Sequence, residues 1–167
     1  AILVDVDLTG AKFERTFLGK TIFQFSNNLI ANFSDAILTS ADLGGINLEG
    51  SIFLRANLKD VNLSEANLAN SNLRRAFMED AKLINTNFTN AELSEAYLYG
   101  ADLTNANLEN STLVGAKFSG AKLNSTNMRR AHLDLEWPID DGPITKPLFT
   151  INPAIEKSID GLVTSMS

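Results

Sequence analysis

A five-residue period runs through residues 1–135 and restricts the possible folds of this chain more than any other feature. The third residue of each five is large and apolar: of 27 such positions, 18 are Leu, six Phe and two Met, with Asn28 the exception. The first residue is small or β-branched, and it is Ala at 16 of the 27 positions. Neither an α-helix, with its period of 3.6, nor a strand, with its period of 2, keeps such a repeat on one face over this length.

The remaining positions of the repeat predict a turn in each five residues. Asn and Asp are frequent at the second position, and the fourth and fifth positions are mixed and mostly polar. Such residues compete for backbone hydrogen bonds and favour turns over helix. The pattern therefore predicts that the first and third residues face inward and the other three face water. Four turns close a square coil of 20 residues, stacked coils pair as parallel strands do, and 27 repeats make about seven coils.

Several runs resemble the A(D/N)LXX motif of the pentapeptide-repeat family, among them Ala41-Asp42-Leu43, Ala66-Asn67-Leu68 and Ala101-Asp102-Leu103. The resemblance covers residues 1–135 and is greatest to the cyanobacterial members, many of which have no assigned biochemical role. It implies an all-β solenoid, a right-handed quadrilateral β-helix. Residues 26–30 depart from the pattern, with a polar residue at the centre, and there we expect a bulge, a side-chain hydrogen bond to the backbone or a shifted turn.

Residues 136–167 form a C-terminal extension of different character. All four prolines of the chain lie between residues 138 and 153, which predicts an extended connector over residues 136–152. Asn152 can cap a helix that has Pro153 at its first position, and apolar residues follow at helical spacing, so a short α-helix is predicted over residues 153–165. The extension could cap the open end of the β-helix, fold back along one face, or join two chains as a homodimer.

Residues 20 apart should stack on one outer face of the coil, so the sequence can be arranged in columns. One column of second positions is Asn in almost every coil, which predicts a structural amide ladder. A column of corner residues carries Arg15, Asp35, Arg55, Arg75 and Glu95, which predicts solvated ion pairs.

A third column carries aromatic and aliphatic residues where polar ones are expected. Exposed apolar patches usually mark contacts. This column therefore predicts a protein-contact surface, covered by a partner, a second copy or the chain's own extension, and the alternative is scattered exposure without a role. Its candidate residues are Phe17, Ile37, Phe77, Tyr97, Tyr99 and Trp137.

The sequence offers no support for catalysis. The only histidine, His132, stands at an outward position, and the chain has no Cys. There is no convergent Ser/His/Asp set, no Gly-rich phosphate loop and no regular metal-ligand spacing. Asp60 and Asp80, with Glu79 beside them, are the strongest candidates for a cation site, but Lys59 and Lys20 lie close in the same pattern. We therefore expect no enzyme activity, no catalytic residues, no cofactor and no metal.

The charge and hydropathy of the chain narrow the class of partner. A net charge of −6 argues against direct binding of nucleic acid or of anionic membranes, and no apolar run is long enough to span a membrane. We therefore expect an interaction module with an unidentified protein partner. The chain begins with Ala1, which is compatible with a soluble protein of the cytoplasm or, after removal of an export signal, of the periplasm or thylakoid lumen.

The resemblance also implies an alternative function, because some pentapeptide-repeat proteins mimic DNA and bind DNA gyrase, protecting it from quinolones. A DNA mimic needs continuous negative potential along the rod. Here Arg55, Arg74 and Arg75 interrupt one face, so the sequence favours the interaction module.

Overall fold

The computed structural model describes residues 2–4, 22–24 and 31–133 of the chain. Strand β1 spans Ile2–Val4 and strand β2 spans Ile22–Gln24, and the two pair in parallel with Ile2 opposite Ile22. From residue 31 onward the second residue of each repeat forms a single parallel bridge to the residue 20 positions ahead, from Asn32 with Ile52 to Thr112 with His132. The chain is thus a β-solenoid with the 20-residue coil that its period predicts.

Backbone hydrogen bonds within and between coils hold this solenoid together. Within a coil, the amide of the first residue of a repeat donates to the carbonyl of the third residue of the preceding repeat, as Ala36 does to Phe33 at 3.0 Å. Between coils, Phe33 N–H donates to the Ile52 carbonyl at 2.6 Å and Asp35 N–H to the Leu54 carbonyl at 2.9 Å. A third bond runs in the opposite direction, from the amide of a second residue in the following coil to a carbonyl of the preceding coil. This set of three bonds repeats along the rod. The backbone polar groups of a chain that turns every five residues are therefore paired without long strands.

Each corner of the coil depends on a left-handed residue. All fifth positions from 35 to 130 have φ between 54° and 72°, and fifteen of these twenty residues are not glycine. A positive φ at the third residue of a hydrogen-bonded turn is the mark of type II. Gly, Asn and Asp enter this region most readily, and they fill thirteen of the twenty positions, whereas no β-branched residue does. The sequence carried this signal, but treating the fifth position as simply polar missed it.

The core lies along the axis of the coil, as predicted. Every first and third residue between positions 31 and 113 is less than a tenth exposed. Leu and Phe fill the axis while Ala lets the backbone approach it, and the rings of Phe33 and Phe53 stack with centroids 4.7 Å apart. In the last described coil, Phe118 and Leu133 are only half-buried. Residues 26–30, the connector and the predicted helix at 153–165 lie outside the described residues.

Hydroxyls at first positions are buried in this core and mostly paired. Ser71 Oγ donates to the Leu68 carbonyl at 2.6 Å, and Thr86 Oγ1 donates to the Leu63 carbonyl at 2.7 Å. Ser51 Oγ is buried as well, but it has no partner among the described residues. A buried hydroxyl without a hydrogen bond loses its hydration and gains nothing in return.

Replacing Ser51 with Ala should therefore stabilise the protein. We expect Ser51→Ala to raise the free energy of unfolding by about 1 kcal/mol, because it removes the unpaired hydroxyl and installs the commonest residue of this position. Ser71→Ala is the matched control, which loses a real hydrogen bond and should not stabilise. Thermal unfolding of both variants and of the parent checks this, and a Tm of Ser51→Ala no higher than that of the parent would contradict it.

The left-handed corners make a second prediction. Asn105→Val should lower the free energy of unfolding by about 1–2 kcal/mol, because a β-branched side chain collides with its own backbone at positive φ. Asn105→Gly should change it little. Ser119→Val, at an exposed fourth position without positive φ, controls for the substitution itself. Equal unfolding midpoints in denaturant for the two valine variants would show that corner conformation does not select the residue.

Candidate protein-interaction surface

The second residue of a repeat normally has a local structural task. Its side-chain oxygen accepts the amide of the fourth residue, as Asp42 Oδ1 accepts Gly44 N–H at 3.0 Å and Asn57 Oδ1 accepts Lys59 N–H at 3.1 Å. This is the side-chain turn that Asn and Asp form readily, and it accounts for their frequency in the motif. Phe77 has no group that could accept such a bond. An aromatic residue at a second position therefore gives up a stabilising turn contact.

The predicted amide ladder is confirmed on one face. Asn67 Nδ2 donates to Asn47 Oδ1 at 2.9 Å, and Asn87 Nδ2 donates to Asn67 Oδ1 at 3.0 Å. The next rung differs, because Asn107 Nδ2 donates to Thr89 Oγ1 at 3.0 Å and not to the asparagine below. The side-chain amides of this ladder form their hydrogen bonds within the rod, so the role of this face is structural.

The aromatic residues of another face form one cluster. Phe77 and Tyr97, one coil apart, stack with ring centroids at 5.0 Å and planes 10° apart. Tyr99 lies beside Tyr97 at 6.2 Å, tilted by 48°. Phe77 is 39% exposed and Tyr99 40%, while Tyr97 is half-buried between its neighbours. We call Phe77, Tyr97 and Tyr99 the aromatic patch.

The structure joins three of the six predicted contact residues. Ile37 is half-buried in the same column, but Asn57 separates it from Phe77. Phe17 and Trp137 lie outside the described residues. The prediction did not include Val114, which is 42% exposed on the neighbouring face, although an apolar residue at a fourth position was a signal that could have found it.

Paired charges line one edge of the aromatic patch. Glu95 accepts from Arg75 Nε at 2.8 Å and from Arg74 at 3.1 Å. These bonds, first that of Arg75 and then that of Arg74, lower the pKa of Glu95, and the pKa of Arg75 is raised in return. Whatever stability Glu95 adds is present above its unfolded pKa and lost as pH falls through its lower folded pKa, and it is small because the pair is exposed.

Further down the same corner the predicted ion pairing is confirmed. Arg55 holds Asp35 through two bonds of 2.8 and 2.7 Å, and the hydrogen bond from Arg55 lowers the pKa of Asp35. The alternation is broken where Arg55 lies one coil below Arg75, so that two like charges are neighbours, and Arg55 acts to lower the pKa of Arg75. Arg15 lies outside the described residues.

The opposite edge of the patch is acidic and unpaired. Glu79 lies one coil below Tyr99, and Asp80 lies between Asp60 and Gly100 in the next column. The Asp80 carboxylate folds against Gly100, where a Cβ would collide with it. The ion pairs between described residues involve Asp35, Glu95 and Asp102, and none involves these three acids. We call Asp60, Glu79 and Asp80 the acidic corner.

Three further observations concern the classes of site weighed from the sequence. Across the described ranges, no three or more His, Asp or Glu side chains converge in a way that could hold a metal ion. The same ranges contain no helix long and apolar enough to cross a membrane. His132 is exposed in the last described coil.

Comparison with known proteins assigns the chain to a family. The model of the Pentapeptide repeats family matches eight copies, over residues 31–53, 51–90, 62–98 and 91–130. The matches span more than half of the sequence, so this chain belongs to the pentapeptide-repeat family. No curated protein matches it significantly.

Solved structures of the same family resemble it in part. Rfr23 from the cyanobacterium Cyanothece 51142 is 26% identical over 80% of this chain and 87% of its own, with a TM-score of 0.43. HetL from Nostoc sp. strain PCC 7120, involved in heterocyst differentiation regulation, is 30% identical over 78% and 63%, with a TM-score of 0.27. QnrB1, a plasmid-mediated fluoroquinolone resistance protein, is 16% identical over 97% and 96%, with a TM-score of 0.32.

The structure of the patch makes a prediction that separates a contact role from a stabilising role. Replacing Phe77 and Tyr97 together with Asn should leave the free energy of unfolding within about 1 kcal/mol of the parent, because two turn bonds replace a ring stack of similar strength. Far-ultraviolet circular dichroism and thermal unfolding measure this.

Leu68→Lys serves as the positive control for a structural position, because it places an unpaired charge in the core and should unfold the protein. A loss of several kcal/mol in the Asn variant would mean that the aromatic residues are present to hold the rod together.

Proposed function

We propose that this chain is a non-enzymatic protein-interaction module, in which the rigid β-helix presents the aromatic patch to a protein partner. One observation carries the proposal: Phe77 and Tyr97 are stacked and partly exposed at second positions, where the motif has a turn-stabilising Asn or Asp. These residues add nothing to the turn and nothing to the core. A contact made outside the rod is the task that their placement suits best.

The chemistry of the patch suits protein recognition. Aromatic residues dominate the binding energy of interfaces, and they do so from well-ordered positions surrounded by polar groups. Here the backbone bonds between coils already order the patch, which lowers the entropy lost on binding. Charged groups surround it on both edges, as they do at the rim of an interface.

The alternative, a DNA mimic that binds DNA gyrase, has weaker support. Residues 31–133 contain eleven acids and nine bases, so this part of the rod is only mildly negative. Arg55, Arg74 and Arg75 are about half exposed on one corner. A mimic of the DNA backbone requires continuous negative charge, which these arginines interrupt. The proposal includes no direct contact with nucleic acid.

The same proposal covers the parts of the chain beyond the described coils. We assign residues 1–135 to one right-handed β-helix of about seven coils, and the 20-residue offset between β1 and β2 supports its extension toward the N-terminus. Residues 136–167, with the helix at 153–165, would then cap the half-buried Phe118 and Leu133 or join two chains as a homodimer.

Site-specific photo-crosslinking in the protein's own host tests the interaction. A photoreactive phenylalanine at position 99 should crosslink a distinct protein, whereas the same residue at position 114, equally exposed on the neighbouring face, should not. Combining it with the Asn variants of Phe77 and Tyr97 should abolish the product.

Each crosslinking result has a separate meaning. A product at twice the mass of the chain identifies a second copy as the partner, and one that contains a gyrase subunit establishes the alternative function. Equal crosslinking at positions 99 and 114 would show that the patch is not a specific contact surface.

A further inference from the structure

The acidic corner and the aromatic patch share one boundary. Asp80 N–H donates to the Tyr99 carbonyl at 2.8 Å, and the Asp80 carboxylate folds against Gly100, the next residue along the chain from Tyr99. One coil above, a Cβ at Gly120 would meet only backbone atoms of Gly100, at 3.7 and 3.8 Å. Gly100 and Gly120 carry no side chains, so beside Tyr99 the corner presents backbone at these two levels, with the Asp80 carboxylate lying against Gly100.

The two edges of the aromatic patch differ in how much of their charge is paired within the chain. On one edge the single carboxylate of Glu95 pairs with both Arg74 and Arg75 and offsets one of their two positive charges. On the other edge, no ion pair between described residues involves any of the three carboxylates of the acidic corner, and none joins them to Lys59. A partner that covers the patch thus meets unpaired negative charge on one side only. The complement to this edge is a cation.

We propose that the acidic corner and the aromatic patch together bind an arginine side chain of the partner protein. A guanidinium suits the site better than an ammonium, because it stacks its flat face on an aromatic ring while its edge donates paired hydrogen bonds to a carboxylate. In this arrangement the guanidinium lies on the ring of Tyr99, beside Gly100 and Gly120, and pairs with Asp80 and Glu79. This inference rests on the proposed function, since it names the chemistry of the partner that the patch receives.

The test is a titration of the full-length, isotope-labelled protein with the blocked peptide acetyl-Gly-Arg-Gly-amide, followed by NMR. The matched peptide carries citrulline, which keeps the shape of arginine but not its charge. We expect saturable shifts of the Tyr99, Gly100 and Gly120 amides with the arginine peptide. Binding of the citrulline peptide should be about tenfold weaker.

Two variants locate the effect without endangering the fold. Asp80→Asn removes the charge and keeps a residue that is frequent at left-handed corners of this rod, so it should fold normally and weaken the arginine peptide about tenfold. Tyr99→Leu keeps apolar bulk but removes the aromatic face, and it should weaken the same peptide. Glu65→Gln removes a carboxylate from a corner with no aromatic neighbour and should have no effect.

Three results would overturn the inference. Equal shifts with the citrulline peptide would show that charge is not recognised, and equal loss in Glu65→Gln would reduce the effect to general acidity. Binding that appears only when Lys146 and Lys157 are changed to Gln would mean that the chain's own extension occupies the corner. None of these results depends on the crosslinked partner, so the site can fail while the interaction function stands, and the reverse.

Discussion

The left-handed residue at each corner is the constraint on which the rest of this structure depends. Every fifth residue from 35 to 130 adopts positive φ, so the chain turns a corner after each five residues. Four such corners complete one square coil, and the chain runs in its original direction again after twenty residues. Each return brings the amides of one coil to the carbonyls of the next, as Phe33 meets Ile52. The inward Leu and Phe then stabilise a path that the turns have already defined.

Because the backbone and the inward side chains stabilise the rod, the side chains on the outer faces can have other functions. Backbone bonds and axial side chains account for the stability of the rod, which in repeat architectures is a sum of coil and neighbour contributions. Second-position side chains add only a turn bond or an amide rung, as Asn67 does toward Asn47. A column can therefore exchange asparagine for aromatic residues at small cost, and Phe77 and Tyr97 occupy such exchanged positions.

Prediction from the sequence succeeded where position in the repeat alone decides the outcome. Burial of Leu38 or Ala36 follows from the period, and so do the columns that stack Phe77 under Tyr97. It fell short where side-chain conformation decides. No pattern indicates that Thr89 replaces one amide rung, or that Glu95 binds two arginines. The left-handed corners were predictable in principle. Their preference for Gly, Asn and Asp is visible in the sequence once all the residues at the fifth position of the repeat are compared.

The unequal edges of the aromatic patch have a consequence for specificity. An exposed face of aromatic rings can bind many partners with little specificity, because apolar contact has little directional preference. Charges at the rim restrict that choice, since burying a carboxylate without a counterion costs several times more than burying it against a guanidinium that pairs with it. The pairing of Arg74 and Arg75 with Glu95 weakens selection on one edge, whereas the acidic corner keeps it on the other. On this rod, the carboxylates left unpaired therefore discriminate between partners more than the rings do.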